Sequence, residues 1–370
     1  MSLSFKPVTR LVLHIPDLFW PEPEDPVALG ERVCPTLETL IARGALRKTG
    51  QKLSTEHLLL RTLGFPMDTA VAAIRYLGEG VQGRREALRP VACADPVYLK
   101  FHQAQVILGS PDLLALTPEE SRCFVDDLNA TFGDVAQFEG PHPNRWYVWA
   151  DDPLWSALFQ QQAPLSEMAG RRIAGAALHA SDLESASPAH RRFRQWQNEL
   201  QMFLHGHPLN GERQAQGKLP LNGIWFWGGG ALNGVSPRSR SGPWSCLRGA
   251  PENVFLQGLA QGASLPWEAL PSTLDSFCAE PLEGHVLCCL DVLSPACRAD
   301  DSDAWKAALS HLETACFSPL LRGRQAFSIE TSGVYGSFSI SSDAYQGWQV
   351  WRRPRPLAET LKQFAHALGR

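Results

Sequence analysis

Arg10 to Ile15, RLVLHI, is a short apolar run of strand-forming residues that Pro16 stops by withdrawing a backbone donor. Asp17 comes next, so its carboxylate is expected just past the carboxyl end of a strand, where α/β proteins collect their ligands. The spacing then predicts a helix over Cys34 to Gly44, CPTLETLIARG, with Leu37, Leu40 and Ile41 on one face, Pro35 near its start and Gly44 as its stop. Strand, loop and helix in that order begin an α/β unit.

The chain has 370 residues, 44% of them hydrophobic, which exceeds what one core absorbs and predicts about two domains of ~150 residues each. Helices are expected at Thr55 to Gly64 and Asp68 to Leu77, and the polar, Gly-rich stretch GEGVQGRREALRP after them reads as an exit into another domain. Beyond it the pattern changes to short strands at Val97 to Phe101, Gln105 to Leu108 and Arg145 to Trp149. A helix at Thr117 to Phe132 is marked by a capping box from Thr117 to Glu120, Pro118 in its first turn and Gly133 at its end. Ala189 to His205 is amphipathic, and Gly223 to Trp227 runs into Gly228, Gly229 and Gly230. The last third returns to α/β character: a buried-type strand at Val286 to Leu290, a helix at Ser302 to Cys316 and a strand at Gln325 to Ile329.

Charge and cysteine usage exclude several function classes. Lys and Arg total 34 against 38 Asp and Glu, so no electrostatic footprint for nucleic acid or an anionic membrane stands out. No apolar run approaches the ~20 residues of a membrane-spanning helix, and the N-terminal segment is no signal peptide, so the expected location is the cytoplasm. Nine scattered cysteines without a CxxC pair read as reduced, mostly buried thiols.

Candidate chemistry is sparse. The glycine run from Gly228 to Gly230 reads as a structural turn or as a phosphate cradle, and lacks the spacing of a dinucleotide site or a P-loop. Ser54 stands at a helix start with His57 three residues on; a Ser and a His on one turn rarely aim at each other, so a capping role is expected for Ser54 or Thr55. His205 and His207 are the closest pair of histidines, and without a neighbouring ligand pattern neither is taken as a metal ligand.

Several stretches together resemble a known family: RLVLHIPDLFWP, PTLETLIARG, CADPVYLKF, LTPEESRCFVDDLNATFG, RWYVW and HPLNGERQAQGKLPLNGIWFWGGG. They are similar to the archaeal-type cofactor-independent phosphoglycerate mutases of the alkaline phosphatase superfamily. They resemble still more the bacterial RpfE-type proteins, described as regulatory or phosphoglycerate-mutase-like. The resemblance implies an α/β fold, an alkaline-phosphatase-like doubly wound core (residues 1–90 and 181–370) with an inserted α+β lid domain (91–180).

It also implies chemistry that can be checked residue by residue. Active relatives use two divalent metals and a serine that carries the phosphoryl group. Asp17 matches the first metal-ligand aspartate, and Ser54 lies one position from the family's nucleophile. Where relatives carry PDEAGHDGD, this chain reads PACRADDSD, with Asp300 in place of the histidine; where they carry an Asp-His pair, it has Glu330 and Thr331. The last metal-binding histidine has no counterpart. Asp17, Asp300 and Glu330 are left as ligands for at most one weakly held divalent ion, manganese or magnesium. Asn210, Arg213 and Gly228 to Gly230 remain as a binding set for a small phosphorylated or carboxylated molecule, with Arg213 offering a two-pronged fork. The resulting expectation is a degenerate, catalytically silent phosphoglycerate-mutase-like protein with a regulatory or ligand-binding role. Two alternatives stand beside it. One is an active phosphomutase or phosphohydrolase with rearranged ligands; the other is a protein-binding scaffold anchored by some of the twelve tryptophans.

Overall fold

The fold is described from a computed structural model covering residues 10–22, 24–29, 34–49, 52–80, 89–102, 105–150, 153–173, 188–231, 244–271, 284–322, 326–342 and 351–367. Strands are numbered in chain order: β1 (Arg10–His14), β2 (Ala45–Lys48), β3 (Val91–His102), β4 (Gln105–Gly109), β5 (Ala136–His142), β6 (Arg145–Ala150), β7 (Arg172–Ile173), β8 (Gly223–Gly230), β9 (Trp244–Gly249), β10 (Trp267–Ala269), β11 (His285–Cys289), β12 (Ala326–Gly333) and β13 (Gly336–Ser342). The chain divides into two compact units, residues 1–67 with 236–370, and residues 68–235.

The first unit is built on a seven-stranded sheet in the order β10-β9-β11-β1-β12-β13-β2. β1 sits between two parallel neighbours, His14 lying beside Cys289 on β11 and beside Glu330 on β12. β12 and β13 form an antiparallel hairpin, and β2 closes that edge. Alternation along the strands separates two faces. Leu11, Leu13, Val286, Cys288, Phe327 and Ile329 belong to one core with the helices Pro35–Arg43, Ser302–Leu312 and Leu357–Ala367. Val12, His14, Leu287, Cys289, Ser328 and Glu330 point to the opposite face, which meets the helix Thr55–Thr62 through Thr62 and the helix Val254–Ala263 through Asn253. The expected α/β class, a largely parallel sheet with helices on both faces, is the class observed.

The second unit is a mainly antiparallel six-stranded sheet, β5-β6-β3-β4-β7, with β8 also pairing β3. Its core is aromatic: Trp196 lies 4.8 Å from Trp155 and 5.1 Å from Phe226 between ring centroids. Such rings carry large apolar area, and the Trp146 indole N–H meets the Ser121 hydroxyl at 2.8 Å.

This unit is wider than the insert expected at 91–180. The helix Val71–Gly78 belongs to it, because that helix lies against β8 and its Arg75 bonds Asp95 and Tyr147. Residues 188–231 belong to it as well, since the helix Pro188–His205 and β8 supply Phe193, Trp196 and Phe226 to the aromatic core. The Gly-rich stretch after Leu77 therefore is not the boundary.

Candidate functional site

In the first unit, polar side chains gather where β1 and β12 end. Asp17 occupies the left-handed region at φ +52°, a conformation that short polar side chains tolerate in turns. Its backbone N–H bonds the Ser332 carbonyl at 2.8 Å, and its own carbonyl accepts the Trp305 indole N–H at 3.0 Å. A Cβ on Gly333 would lie 3.4 Å from Asp17 Oδ1, an ordinary contact that places the carboxylate beside the end of β12. The Ser332 hydroxyl is 2.9 Å from that of Thr55, the first residue of the helix Thr55–Thr62. Ser54 is adjacent, and Asp17 and Ser54 thus share a neighbourhood through Ser332 and Thr55.

Ser54 caps that helix, its Oγ accepting the His57 backbone N–H at 3.2 Å. The expectation that Ser54 and His57 do not aim at each other is corrected: Oγ and the His57 Nδ1 are 2.9 Å apart, because the capping rotamer turns the hydroxyl back over the first turn. A serine beside an imidazole at a helix N-terminus is an arrangement suited to nucleophile chemistry on an anionic group. Ser54 is only 4% exposed, however, and its hydroxyl is already shared between two partners of the cap.

Glu330 lies on β12, where its Oε2 accepts a short hydrogen bond from the Thr62 hydroxyl. Burial pushes its pKa up, only partly opposed by the Thr62 bond and by Arg61 and Arg10. Beside it in the sheet, His14 is fully buried with neither ring nitrogen partnered, and burial lowers its pKa to about 3. Asp300 is exposed, in the left-handed position that ends the helix Ser294–Ala299, and Asp301 caps the helix Ser302–Leu312.

These carboxylates do not fit the divalent ion that the resemblance implied. Among the described residues, Asp17, Asp300 and Glu330 form no group with ligand atoms within 4.8 Å of one another. The physical reason is local: Glu330 is engaged inside the sheet face, while Asp300 is at an exposed helix end.

Two solved structures align with this chain at low identity. One is the PH0037 protein from Pyrococcus horikoshii, 12% identical, with a TM-score of 0.54 over 96% of this chain and 93% of that one. The other is the cofactor-independent phosphoglycerate mutase from Thermoplasma acidophilum DSM 1728, 13% identical, with a TM-score of 0.40 over 97% of this chain and 100% of that one. No family model and no curated protein matches the chain. At 12% identity the first likeness shows a shared fold and nothing of the chemistry.

The residues expected to bind a phosphorylated ligand lie in the second unit and are engaged with their own chain. The Asn210 amide bonds the carbonyls of Leu204 and Leu221 and accepts the Leu221 N–H. Arg213 is fully buried; its guanidinium meets Glu120 at 2.6 Å and the carbonyls of Leu114 and Leu219. The fork read as a ligand clamp is therefore the internal tie of a helix end and a loop. Gly228, Gly229 and Gly230 are not a loop but the end of β8. A Cβ on Gly229 would lie 2.6 Å from the Ser156 carbonyl oxygen, and one on Gly230 2.7 Å from Ala70 Cβ. These glycines let two helices approach the strand closely, a packing role rather than a cradle.

Sequence reasoning missed one cluster in this unit. Cys123, Asp127 and His207 have ligand atoms all within 4.8 Å of one another, the only such trio among the described residues. The i, i+4 spacing of Cys123 and Asp127 on a helix was a visible signal, whereas His207, eighty residues on, was not.

Proposed function

We propose that this is a phosphoglycerate-mutase-like protein that keeps a phosphatase-like scaffold and binds a small phosphorylated molecule in a regulatory role, without two-metal phosphoryl transfer. The observation that carries the reading is the state of Glu330. A metal-binding carboxylate must be anionic and offered to the site, whereas this one is half-buried, bonded to Thr62 and raised in pKa. The N-terminus of the helix Thr55–Thr62 is the place for the ligand's anionic group. Eight described cysteines lie outside any disulfide, six of them buried, which supports a reducing, cytoplasmic setting. No described helix is long and apolar enough to cross a membrane.

Thermal shift against glycolytic phosphates, with and without manganese, tests the reading. A phosphate ester that raises the melting temperature without metal-dependent turnover supports it. Manganese-dependent mutase or phosphatase turnover lost in Asp17→Ala overturns it. That second outcome would establish the alternative of an active phosphohydrolase, which the 2.9 Å approach of Ser54 Oγ to His57 Nδ1 favours. The protein-binding alternative has less support: among the described residues eight tryptophans are buried, and Trp351 is the one that is strongly exposed.

A further inference from the structure

We infer that Cys123, Asp127 and His207 form a binding site for a divalent transition metal, zinc by the chemistry of its donors. Cys123 and Asp127 stand one turn apart on the helix Pro118–Phe132, and His207 is the residue that caps the helix Pro208–Ala215. Asp127 Oδ2 is 3.0 Å from His207 Nε2 and 3.8 Å from Cys123 Sγ. Donors bound at 2.0–2.3 Å to a tetrahedral ion lie roughly 3.3–3.7 Å apart, so the two separations from Asp127 lie on either side of that range, and all three donors are within 4.8 Å of one another. Small side-chain adjustments bring all three onto one ion.

The donor set is selective. Sulfur, imidazole nitrogen and a single carboxylate oxygen suit zinc and disfavour magnesium or calcium, which require oxygen shells. Thiolate and carboxylate together neutralise a dication, and the carboxylates of Asp126 and Glu212 act on the thiol from nearby. The histidine is pre-positioned: it is 6% exposed, with Phe124 and Phe203 rings 4.5 and 5.4 Å from its own. Cys123 and Asp127 are exposed, which opens an entry path and leaves a fourth position for water.

In the metal-free form His207 Nδ1 accepts the Leu209 N–H at 3.3 Å, so the ring proton is on Nε2 and donated to Asp127. Coordination through Nε2 moves that proton to Nδ1 and gives up the long bond from Leu209. The Cys123 thiol loses its proton to solvent as the metal–sulfur bond forms, one proton per ion. Affinity therefore rises with pH.

Cobalt(II) titration of the full chain tests the site, because a near-ultraviolet thiolate-to-cobalt band reports sulfur ligation directly. The expected result is a saturable band at one ion per chain, displaced by zinc and absent in Cys123→Ser. Asp127→Asn and His207→Gln should each weaken cobalt binding by at least about ten-fold. Asp127 is exposed, so Asp127→Asn decides the matter if His207→Gln does not fold. No saturable band, a band that survives Cys123→Ser, or affinity unchanged in Asp127→Asn would overturn the inference.

Discussion

Arg75 and Asp95 form a two-pronged ion pair inside the second unit, Nη1 to Oδ2 at 2.8 Å and Nη2 to Oδ1 at 2.7 Å. Burial works against the Arg75 charge, and the Asp95 carboxylate beside it keeps the guanidinium protonated. The remaining atoms are also used: Arg75 reaches the Tyr147 hydroxyl and the Trp146 carbonyl, and Asp95 accepts the Trp227 indole N–H. Removing one partner leaves a buried, unpaired charge. Asp95→Ala is expected to cost about 3–5 kcal/mol, and Arg75→Met with Asp95→Leu together much less than the sum of the single changes. Denaturation followed by tryptophan fluorescence measures both.

His14 makes the first unit acid-sensitive in a definite direction. Its pKa falls from 6.5 to about 3 on folding, so below pH 6.5 the unfolded chain binds a proton that the folded chain refuses. The stability linked to His14 is complete above about pH 6.5 and is lost progressively as pH falls toward about 3. Glu330 works the other way: its raised pKa adds stability at low pH that fades as pH rises from 4.5 through the raised value. His14→Leu should therefore gain on the wild type between pH 6.5 and 5, by at most about 1.4 kcal/mol per pH unit. A stability gap that does not change with pH would count against this account.

Ser54→Ala removes the cap of the helix Thr55–Thr62 and should lower stability by about 1 kcal/mol, whereas Ser54→Asp restores an acceptor for the His57 N–H. Melting temperatures of the two variants distinguish a cap from a bystander.

Gly229→Ala places a methyl against backbone and the Cβ of Phe159, neither of which can swing aside. A loss of about 1–3 kcal/mol is expected in the second unit. Under the packing role given to these glycines, the variant's response to phosphate esters stays that of the wild type once its lower stability is taken into account.

Local signals were readable, and long-range ones were not. The capping box at Thr117 and Glu120, with Pro118 and Gly133, marks its helix as observed, because every element of that signal lies within one stretch of chain. The strand RLVLHI and the position of Asp17 beyond it were equally legible. Gly228 to Gly230 misled because a glycine run reads the same whether it turns a loop or admits a helix against a strand. Only the distant Ala70, Ser156 and Phe159 decide between them. Arg213 misled in the same way, since its partners Glu120 and Leu114 lie more than ninety residues earlier. The widened second unit has this cause too: Arg75 belongs there through Asp95 and Tyr147, and composition carries no trace of such pairings.

The place of β1 between β11 and β12 also sets an order of assembly. During synthesis residues 68–235 emerge as one continuous piece and can close their own core, while RLVLHI waits for both of its neighbours, residues 285–289 and 326–330. The helix Pro35–Arg43 waits as well, because the N–H groups of Thr36 and Leu37 in its first turn bond the Glu313 carboxylate. RLVLHI leaves the ribosome before residues 68–235 and is thus covered after them. A chain halted before residue 284 would carry a finished second unit beside an open strand edge, the form most exposed to aggregation and to chaperones.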